Sequence, residues 1–238
     1  MASTTTLNPH ERDSHISFEE DGHVYTIDGE TDFMSVTTWN HHHFKQFDAD
    51  SIIQSMMSRD SWTKSRYYGE TPDQIKAGWN ANRDAAAMAG TKLHYDIECY
   101  YNNVPQDNDT TEYRYFLNFA QNNSELVPFR TEWMLWDKEL RLAGSVDMLF
   151  IKPDGTLAIY DWKRSKSIEK GNRWGDCATT ECISHLPDAN FWHYSLQLNT
   201  YKALVEKNYG YTVSEMRLVC FHPNHKDYQV FTVPDLST

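Results

Sequence analysis

The sequence predicts an α/β fold in which a three-stranded antiparallel meander lies between two long helices, and three observations carry that prediction. Segments 145–151 and 156–160 are apolar on both faces and flank Pro153-Asp154-Gly155, so they read as the paired central strands of a hairpin covered on each side. Segment 128–137 alternates in polarity and supplies the third strand. Apolar residues recur at spacings of three and four over 73–103, among them Trp79, Leu93, Ile97 and Tyr100, and helical spacing returns over 190–208.

The remaining elements follow in chain order. Residues 16–28 alternate around Asp21-Gly22 as a small hairpin, and 48–58 is helical. After the meander an irregular basic stretch extends to 188; the helix over 190–208 ends near Gly210, and strands at 213–222 and 227–233 close the series. The expected order is helix, three strands, helix, strand, in a core spanning 76–238. The N-terminal hairpin and helical addition, 1–75, is expected to pack on that core.

Composition bounds the function. With 238 residues and 39% hydrophobic content the chain can bury one full core. No apolar run approaches membrane-spanning length, and segment 1–15 is polar without an apolar leader core, so a soluble intracellular protein with no membrane partner is expected. Cys99, Cys177, Cys182 and Cys220 form no CxxC pair and read as reduced thiols. The internal triplet His41-His42-His43 lacks ligand spacing and suits a surface or helix end.

A net charge of −12 opposes broad binding to nucleic acid, so any phosphate contacts must be concentrated. Basic residues cluster in two places. Lys163, Arg164, Lys166, Lys170 and Arg173 accompany Trp162 and Trp174, and Arg59, Lys64 and Arg66 interleave with Trp62, Tyr67 and Tyr68. Basic residues among aromatics suit single strands, which offer phosphates and stackable bases together.

The chemistry concentrates at the hairpin. A turn centred on Asp154 places Asp147 opposite Asp161, about 5 Å apart at Cβ, and strand alternation puts Lys163 on the face of Asp161. Two like charges so close favour a cation between them, and oxygen ligands point to Mg2+ or Mn2+. His94 and Glu98, four apart on a helix, reach one side, and the imidazole shifts preference toward Mn2+ or a softer ion. Glu132 in the preceding strand joins the site through water or supports it. Gln197 and Tyr201 share a helix face in the same way. The constellation reads as a metal-dependent phosphodiesterase site in which burial beside a metal lowers the pKa of Lys163 enough for proton exchange.

Gly90-Thr91-Lys92-Leu93-His94 with Ile97-Glu98, then Ala143-Gly144-Ser145-Val146-Asp147, then Asp161-Trp162-Lys163, then Gln197 and Tyr201, occur in an order that resembles the PD-(D/E)xK nuclease superfamily. The resemblance is to its RecB-like exonuclease branch, which includes Cas4-like proteins and mitochondrial genome maintenance exonucleases. It implies a restriction-endonuclease-like core and a DNA exonuclease of repair or recombination acting on single-stranded ends. By the same resemblance His94, Asp147, Asp161 and the carbonyl of Trp162 ligate metal, Lys163 orients or activates water, and Gln197 with Tyr201 holds the strand. Cluster-bearing members place one cysteine before the histidine motif and three near the C-terminus. Here Cys99 follows His94, and Cys177 and Cys182 precede Gln197, so no iron–sulfur cluster is expected. Arg164 and the segment 59–68, with Trp62 and Arg66, are the expected strand contacts; an arch of that segment over the cleft would admit a threaded single strand. A structure-specific or RNA-directed endonuclease and a non-catalytic nucleic-acid-binding module are the alternatives.

Overall fold

The turn at Pro153-Asp154-Gly155 sets the register of the central sheet in the computed structural model, which describes residues 6–237. Gly155 adopts φ 82°, a left-handed conformation open to glycine, and Asp154 Oδ1 accepts hydrogen bonds from Thr156 N at 3.0 Å and Thr156 Oγ1 at 2.7 Å. Met148 pairs with Tyr160 and Ile151 with Leu157, the register expected of a hairpin centred on Asp154. The first five residues of the polar segment 1–15, together with Thr238, lie outside the described residues.

In chain order, β1 (Ile16–Glu19) and β2 (Val24–Ile27) make the expected hairpin. β3 (Met34–Ser35) leads into α1 (Val36–His41), whose first turn is capped by the Ser35 hydroxyl accepting from Thr38 N. There follow α2 (Ala49–Met57), α3 (Pro72–Tyr101), α4 (Thr111–Asn122), β4 (Val127–Asp137), β5 (Leu142–Ile151), β6 (Leu157–Arg164), α5 (Asn190–Asn208), β7 (Val213–Phe221) and β8 (Gln229–Thr232). Six strands form one mixed sheet. β4 pairs antiparallel with β5; β3 and β6 share the other edge of β5; β7 lies parallel to β6 and antiparallel to β8.

Three elements, β3, α1 and α4, are additions to the expected order. The aromatic-rich sequence of α4 suits a strand as well as a helix by propensity. Burial of Tyr113, Phe116 and Phe119 at a three-residue spacing, with Thr110 capping Tyr113 N, settles it as a helix.

The described residues up to Lys45, with those from Leu93 onward, make one compact unit, and Gln46–Lys92 makes a second. In the larger unit α5 covers one face of the sheet, packing Leu198, Leu204 and Val205 on Leu149, Ile159 and Leu218. Leu93 and Ile97 of α3, with Phe116 and Phe119 of α4, cover the other, packing on Met148, Phe150, Tyr160 and Trp162. Within the second unit Trp79 Nε1 donates to the Tyr67 hydroxyl at 2.7 Å.

Side-chain alternation is interrupted at Glu132 and Asp147. Trp133 and its partner Val146 join the core on the α5 side, yet Met148, two residues from Val146, joins the core on the α4 side. Glu132 accommodates the change with φ 45°, a left-handed conformation unusual for a strand residue. Such a conformation costs about 1–3 kcal/mol and persists only where its surroundings hold it.

At Gly144, β5 closely approaches α5 and α1. A Cβ there would lie 2.9 Å from Tyr201 Cε1 and 3.2 Å from Val36 Cγ2. Gly144→Ala is therefore expected to destabilise the protein by about 1–3 kcal/mol through overpacking, read as a lower midpoint in chemical denaturation.

Candidate active site

β5 and β6 diverge beyond Met148 and Tyr160, where β5 turns to β3 and β6 continues beside β7. At the mouth of this gap Asp147 Oδ2 accepts a hydrogen bond from Trp162 N at 2.9 Å, so a side chain takes the place of the next ladder bond. His94 Nδ1, from α3, lies 3.5 Å from the same oxygen. Glu132 sits between the pairs Thr131–Met148 and Trp133–Val146, opposite Asp147. His94, Glu132 and Asp147 each present a ligand atom, all within 4.8 Å of one another. Ligand atoms on opposite sides of a cation bound at about 2.1 Å stand about 4 Å apart, so a small closure suffices. One imidazole nitrogen and two carboxylates suit Mg2+, Mn2+ or a similar divalent ion. The donor set fits the cation.

Asp161 and Lys163 project together from β6, with Nζ 2.7 Å from Oδ2. Burial pushes the Asp161 carboxyl up to about 6; the ammonium of Lys163 opposes that rise and the charge of Asp147 adds to it. Glu132 is pushed up to about 8, first by burial and then by Asp147, against a hydrogen bond from Ser145 Oγ at 2.8 Å; Glu98 contributes to the same rise. Burial by itself lowers the pKa of Lys163, but Asp161 and Asp147 outweigh it and raise the pKa above its usual value. The depressed lysine expected from the sequence is one beside a bound metal, whose charge would offset these two carboxylates. Two carboxylates facing one ammonium stabilise its charge by more than desolvation costs.

The other expected residues fall into distinct places. Lys163 Nζ donates to Gln197 Oε1 at 3.4 Å, and Gln197 Nε2 donates to the Tyr201 hydroxyl at 3.4 Å. Tyr201 is buried, and burial raises its hydroxyl pKa well above the usual value. The Trp162 indole is buried in the α4-side core. Arg164 is held by Glu112 of α4, with Nε and one terminal nitrogen each 2.7 Å from Glu112 Oε1. Trp62 and Arg66 belong to the unit Gln46–Lys92, where Trp62 packs edge-on to Tyr68 and Arg66 lies over the Tyr67 ring at 4.6 Å. Sequence reasoning does not single out Tyr25 or Tyr194. Burial, with the charge of Glu132 second, pushes the Tyr25 hydroxyl up to about 12, and Lys163 Nζ lies 4.6 Å from the Tyr194 ring centroid. The spacing of Tyr194 to Gln197 and Tyr201 on α5, three and seven residues, is the signal that could have found it.

A mixed sheet between helical layers, carrying acids, a histidine and a lysine where two strands part, is the arrangement of a candidate metal-dependent hydrolase centre. Residues 66–236, more than two thirds of the chain, match the PD-(D/E)XK nuclease superfamily, and the chain belongs to that superfamily. Nucleases of this superfamily use divalent metals and act on nucleic acid. No curated protein matches the chain. Among the described residues no helix is long and apolar enough to cross a membrane.

The raised carboxyls make stability depend on pH in a defined sense. Glu132 rises from 4.5 to about 8 and Asp161 from 3.8 to about 6. Protonated, both favour the folded state, so their contribution is complete below about pH 4 and is lost as pH rises toward 8. Thermal melts of the metal-free protein are expected to fall between pH 5 and pH 8 and to recover when Mn2+ is added. Glu132→Gln should stabilise the metal-free protein at pH 8 by on the order of 1–3 kcal/mol, read as a higher melting midpoint, and shrink the recovery.

Proposed function

We propose that this protein is a divalent-metal-dependent exodeoxyribonuclease of the RecB-like branch, acting on single-stranded DNA ends with Mg2+ or Mn2+. The observation that carries the reading is the adjacency of the His94–Glu132–Asp147 group to the Asp161–Lys163 ion pair at the mouth of the β5–β6 gap. His94, Asp147, Glu132, Asp161 and the carbonyl of Trp162 are the proposed metal-holding groups, and Glu98 adds negative potential behind them. A bound divalent cation polarises a phosphoryl oxygen and makes water more acidic. Lys163, kept charged by Asp161, stabilises the negative charge that gathers on the phosphate oxygens as the bond to phosphorus forms. Gln197, fixed between Lys163 Nζ and the Tyr201 hydroxyl, orients the strand, and Tyr201 acts through it as a positioning residue.

The preference for single strands is supported by charge. At −12 overall, the chain cannot neutralise phosphates over a duplex flank, whereas Trp62, Arg66 and their neighbours offer stacking and charge together. Arg164 would reach phosphate by exchanging Glu112 for it. An intracellular role in DNA repair or recombination is consistent with the substrate proposed.

End-labelled single-stranded DNA is expected to be degraded with Mn2+ or Mg2+ and to survive in EDTA. Asp147→Asn and Asp161→Asn should abolish cleavage, and Lys163→Ala should slow it about 100- to 1,000-fold while calorimetry shows Mn2+ binding little changed. Gln197→Ala should cost less. If Lys163→Ala cuts at the wild-type rate, its catalytic assignment is wrong.

A circle of single-stranded DNA equal in length to the linear substrate is expected to resist. Trp62→Ala or Arg66→Ala should slow the linear reaction with Mn2+ binding unaltered. Rapid cleavage of the circle would turn the reading to an endonuclease.

A further inference from the structure

The face of β5 that carries Asp147 continues beyond the candidate metal ligands. Val146 joins the core on the α5 side, so strand alternation turns Ala143, Ser145 and Asp147 to the opposite side, each step of two residues rising about 6.5 Å. Across the ladder Trp136 pairs with Ala143, Met134 pairs with Ser145, and Glu132 stands opposite Asp147, its Oε2 accepting from Ser145 Oγ at 2.8 Å. One row of side chains thus runs from the ligand atoms, through Ser145, to Trp136 and Ala143.

Tyr25 of β2 packs on the far end of that row. It shares a buried cluster with Ile16, Ile27, Phe33, Trp136 and Ala143, against which Met134 is also packed. A tyrosine hydroxyl lies about one such strand step, roughly 6.5 Å, from its own Cα, so a ring seated beside Ala143 can bring its hydroxyl level with Ser145 and Glu132. Two electrostatic effects give the direction. Burial and then the charge of Glu132 raise the pKa of the Tyr25 hydroxyl, while Tyr25 in turn adds to the rise at Tyr201, which burial leads. Both partners belong to the site, so the hydroxyl end of the Tyr25 ring lies toward it.

That hydroxyl needs a partner. Tyr25 is 6% exposed, and its hydroxyl makes no hydrogen bond to a described residue, although a buried tyrosine hydroxyl ordinarily has one. Glu132 offers the complement, because a carboxylate accepts about four hydrogen bonds and Ser145 supplies one. We infer that Tyr25 is a positioning residue of the metal centre, its hydroxyl reaching the Glu132 carboxylate directly or through one ordered water and so fixing that ligand for a divalent cation. The N-terminal hairpin, which precedes the segment shared with the superfamily, is then part of the site as well as of the packing. The inference rests on the metal-site reading above and adds a residue to it.

Tyr25→Phe keeps the packed ring and removes only the hydroxyl. Calorimetry at pH 7 is expected to show Mn2+ bound about 10-fold more weakly than by the wild type, with the metal-free melting midpoint unchanged and the Mn2+ concentration for half-maximal cleavage raised by the same factor. In a Glu132→Gln background, whose neutral amide accepts a bond about half as strong, the same substitution should cost about threefold or less. If Glu132→Gln binds no Mn2+, the single variant decides. Wild-type Mn2+ affinity in Tyr25→Phe, a loss of equal size in both backgrounds, or a metal-free midpoint that falls along with the affinity overturns the assignment and leaves the nuclease reading intact. A wild-type protein that neither binds Mn2+ nor cleaves DNA overturns the metal-site reading and this inference with it.

Discussion

The repulsion among Asp147, Asp161, Glu132 and Glu98 is the constraint around which the larger unit is arranged. Carboxylates gathered in a low-dielectric site resist ionisation together, and groups that relieve them include the Lys163 ammonium, the Ser145 hydroxyl, the Trp162 N–H and the His94 imidazole. Among these only the Lys163 side chain carries a permanent positive charge. The proposed metal site follows from that repulsion, because a divalent ion would add positive charge at the place where ligand atoms of His94, Glu132 and Asp147 converge.

Holding such a group together requires support from outside it. The sheet supplies it through strand divergence at Met148 and Tyr160 and through the left-handed backbone at Glu132. The helix α5 supplies it through a relay. Gly144 lets the Tyr201 ring lie against β5, the Tyr201 hydroxyl accepts from Gln197, and Gln197 accepts from Lys163. A bulkier residue at Gly144 would displace the relay at its base, so packing and the orientation of the reactive ammonium are coupled.

Charge also governs what the site does with a strand. Without a metal, Asp161 and Asp147 raise the pKa of Lys163, a direction that agrees with the electrostatic role proposed for its ammonium. Arg164, adjacent to it, is neutralised by Glu112, so the strand's basic residues do not act as a block. In an acidic chain, affinity for nucleic acid must come from a few placed cations and aromatic faces, and the single-strand preference proposed above rests on that.

Much of this was legible in the chain. The Pro153-Asp154-Gly155 turn dictates the pairing of the hairpin as far as Met148 with Tyr160, because turn geometry fixes register, whereas beyond that pair the strands part and Asp147 meets Trp162 N instead of facing Asp161 in the ladder. Helical spacing likewise joins His94 with Glu98 and Gln197 with Tyr201. Less legible were α4, whose aromatic residues suit either regular structure until burial chooses, and the central position of Glu132, which depends on β4 pairing and a kinked backbone. The ionisation of Lys163 and the packing of Tyr25 beside Trp136 and Ala143 were not legible at all. Sequence determined what local geometry controls, namely turn, register and helix face. Only the tertiary structure decided which charges and polar groups share a buried space, because those energies depend on separation and desolvation that arise when distant segments pack.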